Sequence, residues 1–251
     1  MSNPRTEFYQ NFSGDGNLEN YNGLVSHALP GLHGRVLELV RKHGEGQQSS
    51  ASPVAIDLGA GQGAMSARLA DHGYKVVACD YVDTNFAAHD KVTRFVQIDL
   101  NKDFKANFNE IKADLICAVE IVEHIENPRH FLRQCSELLA DSGVIALTTP
   151  NIDSPRSKVD FVVEGHFHMF RESSYKSSGH ITPISGWQLQ KIAEEAGLQF
   201  LEHQTFGNQD YLFSDRPKAF IAQELVRRIG CRSVWGDGAI HIAILKRVRM
   251  V

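Results

Sequence analysis

The chain has 251 residues, of which 42% are hydrophobic and 22% charged, with a formal net charge of −4; this composition supports one substantial core and excludes disordered, collagenous and disulfide-framework classes. Its acidic balance offers no global field for nucleic acid, and no window reaches the apolar length of a membrane span. Cys79, Cys117, Cys135 and Cys231 form no C-x-x-C pair, and Met1-Ser2-Asn3-Pro4-Arg5 begins no signal-peptide core, so a cytoplasmic setting is expected.

Residues 1 to about 27 are polar and dotted with aromatics (Phe8, Tyr9, Phe12, Tyr21), and Gly14 and Gly16 break any periodicity. Val36, Leu37, Leu39 and Val40 make the buried stripe of a helix from Leu32 to His43. A Gly/Gln/Ser linker, Gly44 to Ser52, leads into a short apolar strand, Val54-Ala55-Ile56-Asp57-Leu58. Gly59, Gly61 and Gly63 follow at alternate positions and open a helix from Ala64 to Ala70. Glycine suits a backbone that turns tightly and lets a ligand lie against it. A glycine-rich turn from strand to helix is the nucleotide end of a doubly wound α/β sheet.

Two further strands, Lys75 to Asp80 and Arg94 to Asp99, also end in acids, the second followed by Leu100. An acid about twenty residues past the glycines can accept hydrogen bonds from both hydroxyls of a ribose. Ala113 to Val119 is the fourth strand and runs into Glu120-Ile121-Val122-Glu123-His124-Ile125. A helix from Pro128 to Ala140 and a fifth strand from Gly143 to Thr148 come next. Residues 151–185 show little periodicity and are rich in His, Phe, Ser and Arg, too long for a plain connector. Such a segment over the carboxyl edge of a sheet is where substrate contacts are expected, with Asn151, His166, His168 and Tyr175 as candidates. A helix from Ser185 to Ala196, a strand from Leu198 to Phe206, a helix from Pro217 to Ile229 and a last strand from Ala239 to Val248 complete the chain. From Arg216 onward eight basic residues face only Glu224 and Asp237, which reads as a solvated face.

The run Asp57-x-Gly59-x-Gly61-x-Gly63, with the acids at the ends of the next two strands and the Glu-His segment after the fourth, resembles the class I methyltransferases that use S-adenosylmethionine (SAM). The resemblance is closest over residues 53–148. It implies a doubly wound, seven-stranded, mostly parallel sheet with an antiparallel last strand. Residues 1–52 would be an N-terminal lid and helix, residues 53–251 the Rossmann-like core, and 151–185 a substrate-binding insertion. SAM would meet Gly59, Gly61 and Gly63 through its methionine part, Asp80 at the ribose, and Asp99 with Leu100 at the adenine, with Asp57, Ala60 and Tyr81 also in the cofactor-binding set. Val119 and Glu120 would stand beside the sulfonium.

Methyl transfer from a sulfonium is an in-line displacement, so positioning supplies much of the acceleration and a hydroxyl acceptor also needs a base. His124 follows the fourth strand and is the first candidate, with Glu120 and His180 beside it in the catalytic set. If Glu120 to His124 were one helical turn, Glu120, Glu123 and His124 would share a face, a set that suits a divalent metal. The expectation is nevertheless of a metal-free site. Thr148-Thr149-Pro150-Asn151 lacks the Asn/Asp-Pro-Pro-Tyr pattern of methyltransferases acting on base amines, which argues against DNA. The expected activity is methyl transfer to an oxygen of a small molecule or glycan. The alternatives are a metal-assisted RNA 2′-O-methyltransferase and a non-catalytic SAM-binding scaffold. Oligomeric state is not legible.

Overall fold

The structure is a computed structural model that describes residues 18–44, 52–108, 111–230 and 235–248. The aromatic-dotted start with Phe8, Tyr9 and Phe12, nearly all of the Gly44–Ser52 linker, Cys231 and Arg232, and the last residues of the chain lie outside the described residues. The proposed lid is therefore described only from Leu18 onward.

The first elements are a hairpin of β1 (Glu19–Tyr21) and β2 (Leu24–Ser26), which pair antiparallel. Its turn is Asn22-Gly23, with φ of 53° and 88°. These left-handed angles give the twist that joins two antiparallel strands with two residues, and Asn-Gly was the available signal. Three-residue strands are too short for an alternating pattern to stand out.

Helix α1 (Leu32–Gly44) precedes β3 (Val54–Leu58), α2 (Ala64–Asp71), β4 (Lys75–Asp80), β5 (Arg94–Gln97) and β6 (Ala113–Ala118). Helix α3 (Pro128–Leu138) passes directly into β7 (Leu139–Pro150). The fifth strand thus begins four residues earlier than the sequence suggests, because Leu139 pairs with Ala113 across a register shift. The insertion holds two helices, α4 (Pro155–Glu164) and α5 (Glu172–Ser178). Ser154 accepts the Ser157 N–H to cap α4, and Gly165 and Gly179 end the two helices in left-handed geometry. Their periodicity is hard to read because Phe161, Val162 and Val163 are exposed and α5 buries no residue. Helix α6 (Gly186–Glu195), β8 (Leu198–Phe206), α7 (Pro217–Gly230) and β9 (Ile240–Arg247) complete the fold.

The seven strands run in the order β5-β4-β3-β6-β7-β9-β8. All neighbours are parallel except at β9, which lies antiparallel between β7 and β8. This is the doubly wound, mostly parallel sheet with an antiparallel last strand that the sequence predicts. The central strands read as nearly continuous apolar runs because both faces are covered. Along β3, Ile56 and Leu58 point to a core shared with Phe104, Phe108, Phe131, Leu132 and Leu189, while Ala55 points to one shared with Val36, Val40 and Leu69. Among the described residues no helix is long and apolar enough to cross a membrane. In the basic stretch, Arg227 is satisfied by Asp210, Glu224 and Asp237.

Candidate active site

The carboxyl ends of β3, β4 and β6 open into a cleft of about 780 Å³, within the range of small-molecule sites. Of the sequence-derived candidates, Asp57, Gly59, Ala60, Gly61, Asp80, Tyr81, Asp99, Leu100, Val119, Glu120, His124, His168 and His180 all line it.

The glycine loop is bound to the end of β4. The amides of Gly59 and Ala60 both donate to the Cys79 carbonyl at 2.9 Å, and the Gly61 amide donates to Asp80 Oδ2 at 2.8 Å. Asp80 Oδ1 accepts the Val82 N–H at 3.2 Å. Burial raises the Asp80 carboxyl above its ordinary range, and these backbone donors oppose the rise. Gly59 has φ +75°, and a Cβ there would stand 1.9 Å from Ile121 Cδ1. At Gly61 the same atom would meet nothing nearer than His27 Cδ2 at 3.9 Å, so the missing Cβ keeps space open on the cleft side. Asp57 lies beneath the loop, where burial pushes it up to about 6 against a hydrogen bond from Ser66.

The opposite wall comes from the hairpin and the start of α1. Tyr21 donates to Asp71 at 2.9 Å, the Arg68 guanidinium lies 4.0 Å over the Tyr21 ring, and the Val25 amide donates to Gln62 Oε1 at 3.0 Å. These contacts fasten the hairpin to α2 and bring His27 and His33 to the cleft. Both were missed in the sequence, where nothing distinguishes them from surface histidines. His33 Nε2 meets Ser26 Oγ at 3.2 Å, and burial lowers its pKa to about 4.

At the exit of β6, Glu120 has φ +54°, an uncommon geometry for a side-chain-bearing residue. Its amide donates to Thr148 Oγ1 at 2.9 Å, and Thr148 Oγ1 donates back to Glu120 Oε1 at 2.8 Å. Burial pushes the Glu120 carboxyl up to about 7, with the Thr148 bond opposing. A 3-10 turn then spans only Val122–His124. The expected helical turn with Glu120, Glu123 and His124 on one face does not form, because the left-handed residue breaks it and turns Glu120 toward Thr148.

His180 takes the place of Glu120 in that cluster. The amides of Ile181 and Thr182 donate to the Glu123 carbonyl at 3.2 and 2.9 Å, and Thr182 Oγ1 donates to the Ile125 carbonyl at 2.8 Å. The end of the insertion is thereby stitched onto the turn, and the His180 and His124 rings lie 5.0 Å apart. One donor atom each from Glu123, His124 and His180 falls within 4.8 Å of the others. Glu123 is fully buried, and neither carboxyl oxygen closes a hydrogen bond. Burial, with the charge of Glu120 adding to it, raises its pKa well above the ordinary range. Burial lowers His124 to about 3, and His180 is lowered by burial as well. His180 Nδ1 contacts the Met169 carbonyl at 2.9 Å. A carbonyl only accepts, so Nδ1 carries the proton and Nε2 of the neutral ring is left as an acceptor.

The insertion is anchored by Asp160, which is fully buried. It accepts from Arg171 Nη2 at 2.7 Å, His168 Nδ1 at 3.2 Å, Arg156 Nε at 3.3 Å and the Tyr211 hydroxyl. Burial alone would raise this carboxyl, but those donors and charges hold it well below the carboxylate range. His168 Nε2 meets Gln209 Oε1 at 2.6 Å, and His168, Arg171 and Gln209 all line the cleft.

Besides Glu123, four expected site residues do not line the cleft. Gly63 begins α2 with φ +94°, where a Cβ would come within 2.5 Å of Ala88 Cβ, so its lack of side chain serves packing. Asn151 is buried and donates to the Gly236 and Gly238 carbonyls at 3.2 and 2.8 Å. His166 lies 3.5 Å from Glu164, and Tyr175 is 49% exposed on α5.

A glycine loop on a parallel sheet, acids at successive strand ends and a second group of titratable side chains over the same cleft define a Rossmann-like enzyme of the nucleotide-cofactor class. The methyltransferase domain family matches residues 33–203, most of the described sheet, and the chain belongs to that family. It is 32% identical over 120 residues to the mitochondrial ubiquinone biosynthesis O-methyltransferase of Arabidopsis thaliana, covering 44% of this chain and 37% of that one. It is 24% identical over 152 residues to the ubiquinone biosynthesis O-methyltransferase of Coxiella burnetii, covering 59% and 64%. The matched segment thus spans less than two thirds of these relatives. Among solved structures, a SAM-dependent methyltransferase from Archaeoglobus fulgidus superposes with a TM-score of 0.53 at 16% identity, over 86% of this chain and 94% of that one. The plantazolicin methyltransferase BpumL superposes with a TM-score of 0.58 at 16% identity, over 88% and 86%. These two likenesses concern the fold.

Proposed function

We propose that the chain transfers the methyl group of SAM to a hydroxyl oxygen of a small acceptor, sugars and glycans included. The observation that carries this reading is that one cleft holds both the Gly59–Gly61 loop with Asp80 and the buried His124–His180 pair. SAM supplies an electrophilic methyl group. Gly59, Ala60 and Gly61 admit its methionine part, Asp80 and Tyr81 accept its ribose, Asp99 and Leu100 border its adenine, and Val119 and Glu120 lie toward the reacting end. The open space at the Gly61 Cβ position fits a ligand lying against this backbone.

The remaining work falls to positioning and proton transfer. The turn after β6 and the His168–His180 segment hold the acceptor hydroxyl in line, an effect that contributes up to about 7–11 kcal/mol where alignment is good. His124 takes the hydroxyl proton. Burial keeps its ring neutral near pH 7, so the ring is free of a proton and able to accept one there. Residues 151–185 act as the acceptor-binding insertion and residues 1–52 as the covering lid and helix. The buried thiols of Cys79, Cys117 and Cys135 suit a reducing compartment.

Glu123, His124 and His180 also have the composition of a divalent-cation site. An ion there would ionise Glu123 and polarise the acceptor hydroxyl. Proton transfer to His124 needs none and leaves Glu123 protonated.

The test is transfer of labelled methyl from SAM to hydroxyl acceptors, with and without a chelator, by wild type and His124→Gln. The expected outcome is chelator-insensitive transfer that falls about 10²–10⁴-fold in the variant while S-adenosylhomocysteine still binds. Binding without transfer to any acceptor would favour the scaffold alternative, and chelator-sensitive transfer the metal-assisted one.

A further inference from the structure

We infer that the acceptor is a hydrophilic, polyhydroxylated ring, a sugar, and not an aromatic ring carrying a long alkyl tail. The inference rests on the methyl-transfer reading above and concerns the same cleft.

It is carried by the wall that α5 presents. Ser173, Ser174, Ser177 and Ser178 all line the cleft. Positions i and i+4 are neighbours on a helix surface, so the pairs Ser173–Ser177 and Ser174–Ser178 put four hydroxyls along the cleft side of α5. The helix separates its polar side chains by type: Glu172 and Lys176 pair with each other at 2.9 Å and are 77% and 72% exposed. A surface helix that only packs turns its charges outward and apolar side chains inward; α5 turns serines inward instead. Of the side chains that residues 168–180 contribute to the cleft, Met169 is the one apolar member. Gln209 adds an amide to the same wall.

The physical consequence is a matter of matching. A serine hydroxyl both donates and accepts, so a row of them pairs with ligand hydroxyls in either sense. A hydrocarbon tail laid on that row would strip water from the hydroxyls and return no hydrogen bond. Charge selects in the same direction. The one guanidinium on this wall, Arg171, is already shared between Asp160 at 2.7 Å and Glu164 at 3.0 Å, so the wall does not call for an anionic acceptor. Below it, Ile121 and Ile125 line the cleft beside His124, which suits the C–H face of a sugar ring with one hydroxyl directed at the imidazole.

The experiment uses the full chain with labelled SAM and three acceptor groups: methyl glycosides of common hexoses and deoxyhexoses, catechol, and dodecyl catechol. Transfer to at least one glycoside with higher kcat/KM than to dodecyl catechol is expected. Ser174→Leu/Ser177→Leu should lower glycoside kcat/KM on the order of tenfold or more, with S-adenosylhomocysteine affinity unchanged. Ser174→Thr/Ser177→Thr, which keeps the hydroxyls, should retain most of the activity. Transfer to the catechols and to no glycoside overturns the sugar inference and leaves O-methyl transfer standing. No transfer to any hydroxyl acceptor, by protein that binds S-adenosylhomocysteine, overturns both. Equal loss in the leucine and threonine pairs would overturn the hydroxyl wall as the cause.

Discussion

Thr148 and Glu120 hold each other twice, the threonine Oγ1 accepting the glutamate amide at 2.9 Å and donating to its carboxyl at 2.8 Å. One residue lies near the carboxyl end of β7 and the other leaves β6 with φ +54°. This reciprocal pair fixes the left-handed turn that separates Val119, in the cofactor cleft, from the Val122–His124 turn. Backbone held in a sparsely populated region persists only when its surroundings determine it.

Thr148→Val keeps the volume of the side chain and removes both bonds. Leaving a buried amide and carboxyl unpaired costs about 1–3 kcal/mol. Urea denaturation should show a loss of that size, and Thr148→Ser should recover most of it. A valine variant as stable as wild type would mean that the turn is held by something else.

Asp160 gathers Arg156, Arg171, His168 and Tyr211 around one buried carboxylate and has no contact with the glycine loop among its hydrogen bonds. Removing one partner of a buried charge cluster typically costs about 3–5 kcal/mol. Asp160→Asn should lower the melting temperature and raise the KM for the acceptor, because His168 and Arg171 lose their anchor. S-adenosylhomocysteine affinity should stay at the wild-type value. An equal loss for cofactor product and acceptor, measured by titration and steady-state kinetics, would contradict the assignment of Asp160 to the acceptor-binding insertion.

Much of this arrangement was legible in the chain. Asp57 to Gly63, Asp80 and Asp99 could be placed at strand ends because strand periodicity and the demand for glycine at positive φ are local properties. The cluster of Glu123, His124 and His180 was only half legible. His180 reaches His124 through amides of Ile181 and Thr182 on the Glu123 carbonyl, and backbone contacts leave no mark on residue type. Glu120 was assigned to the wrong face because nothing announces a glutamate with a left-handed backbone. Gly63 shows the same limit from the other side. A glycine that admits a ligand and one that avoids Ala88 look alike in sequence.

Burial depresses the folded-state pKa of His33 to about 4 and of His124 to about 3, from an ordinary value of 6.5. The stability each contributes is complete above pH 6.5 and is lost as pH falls toward the folded value. Glu120 works in the opposite sense: raised to about 7, it contributes most below pH 4.5 and loses that contribution as pH rises. The difference between wild type and His33→Gln isolates the first effect. The stability lost by wild type between pH 6.5 and 4 should exceed that of the variant by up to about 3 kcal/mol. Parallel urea midpoints for the two proteins across that range would show that His33 is not held neutral.

The central claim is that the glycine loop and Asp80 form a SAM site, and calorimetric titration of purified protein with SAM and S-adenosylhomocysteine tests it most directly. Asp80→Ala removes the carboxylate that receives the Gly61 and Val82 amides and would meet the ribose. The prediction is saturable binding of both ligands to wild type and its loss in Asp80→Ala that circular dichroism shows to be folded. No binding of either ligand to folded wild type, or unchanged binding in the variant, would contradict it.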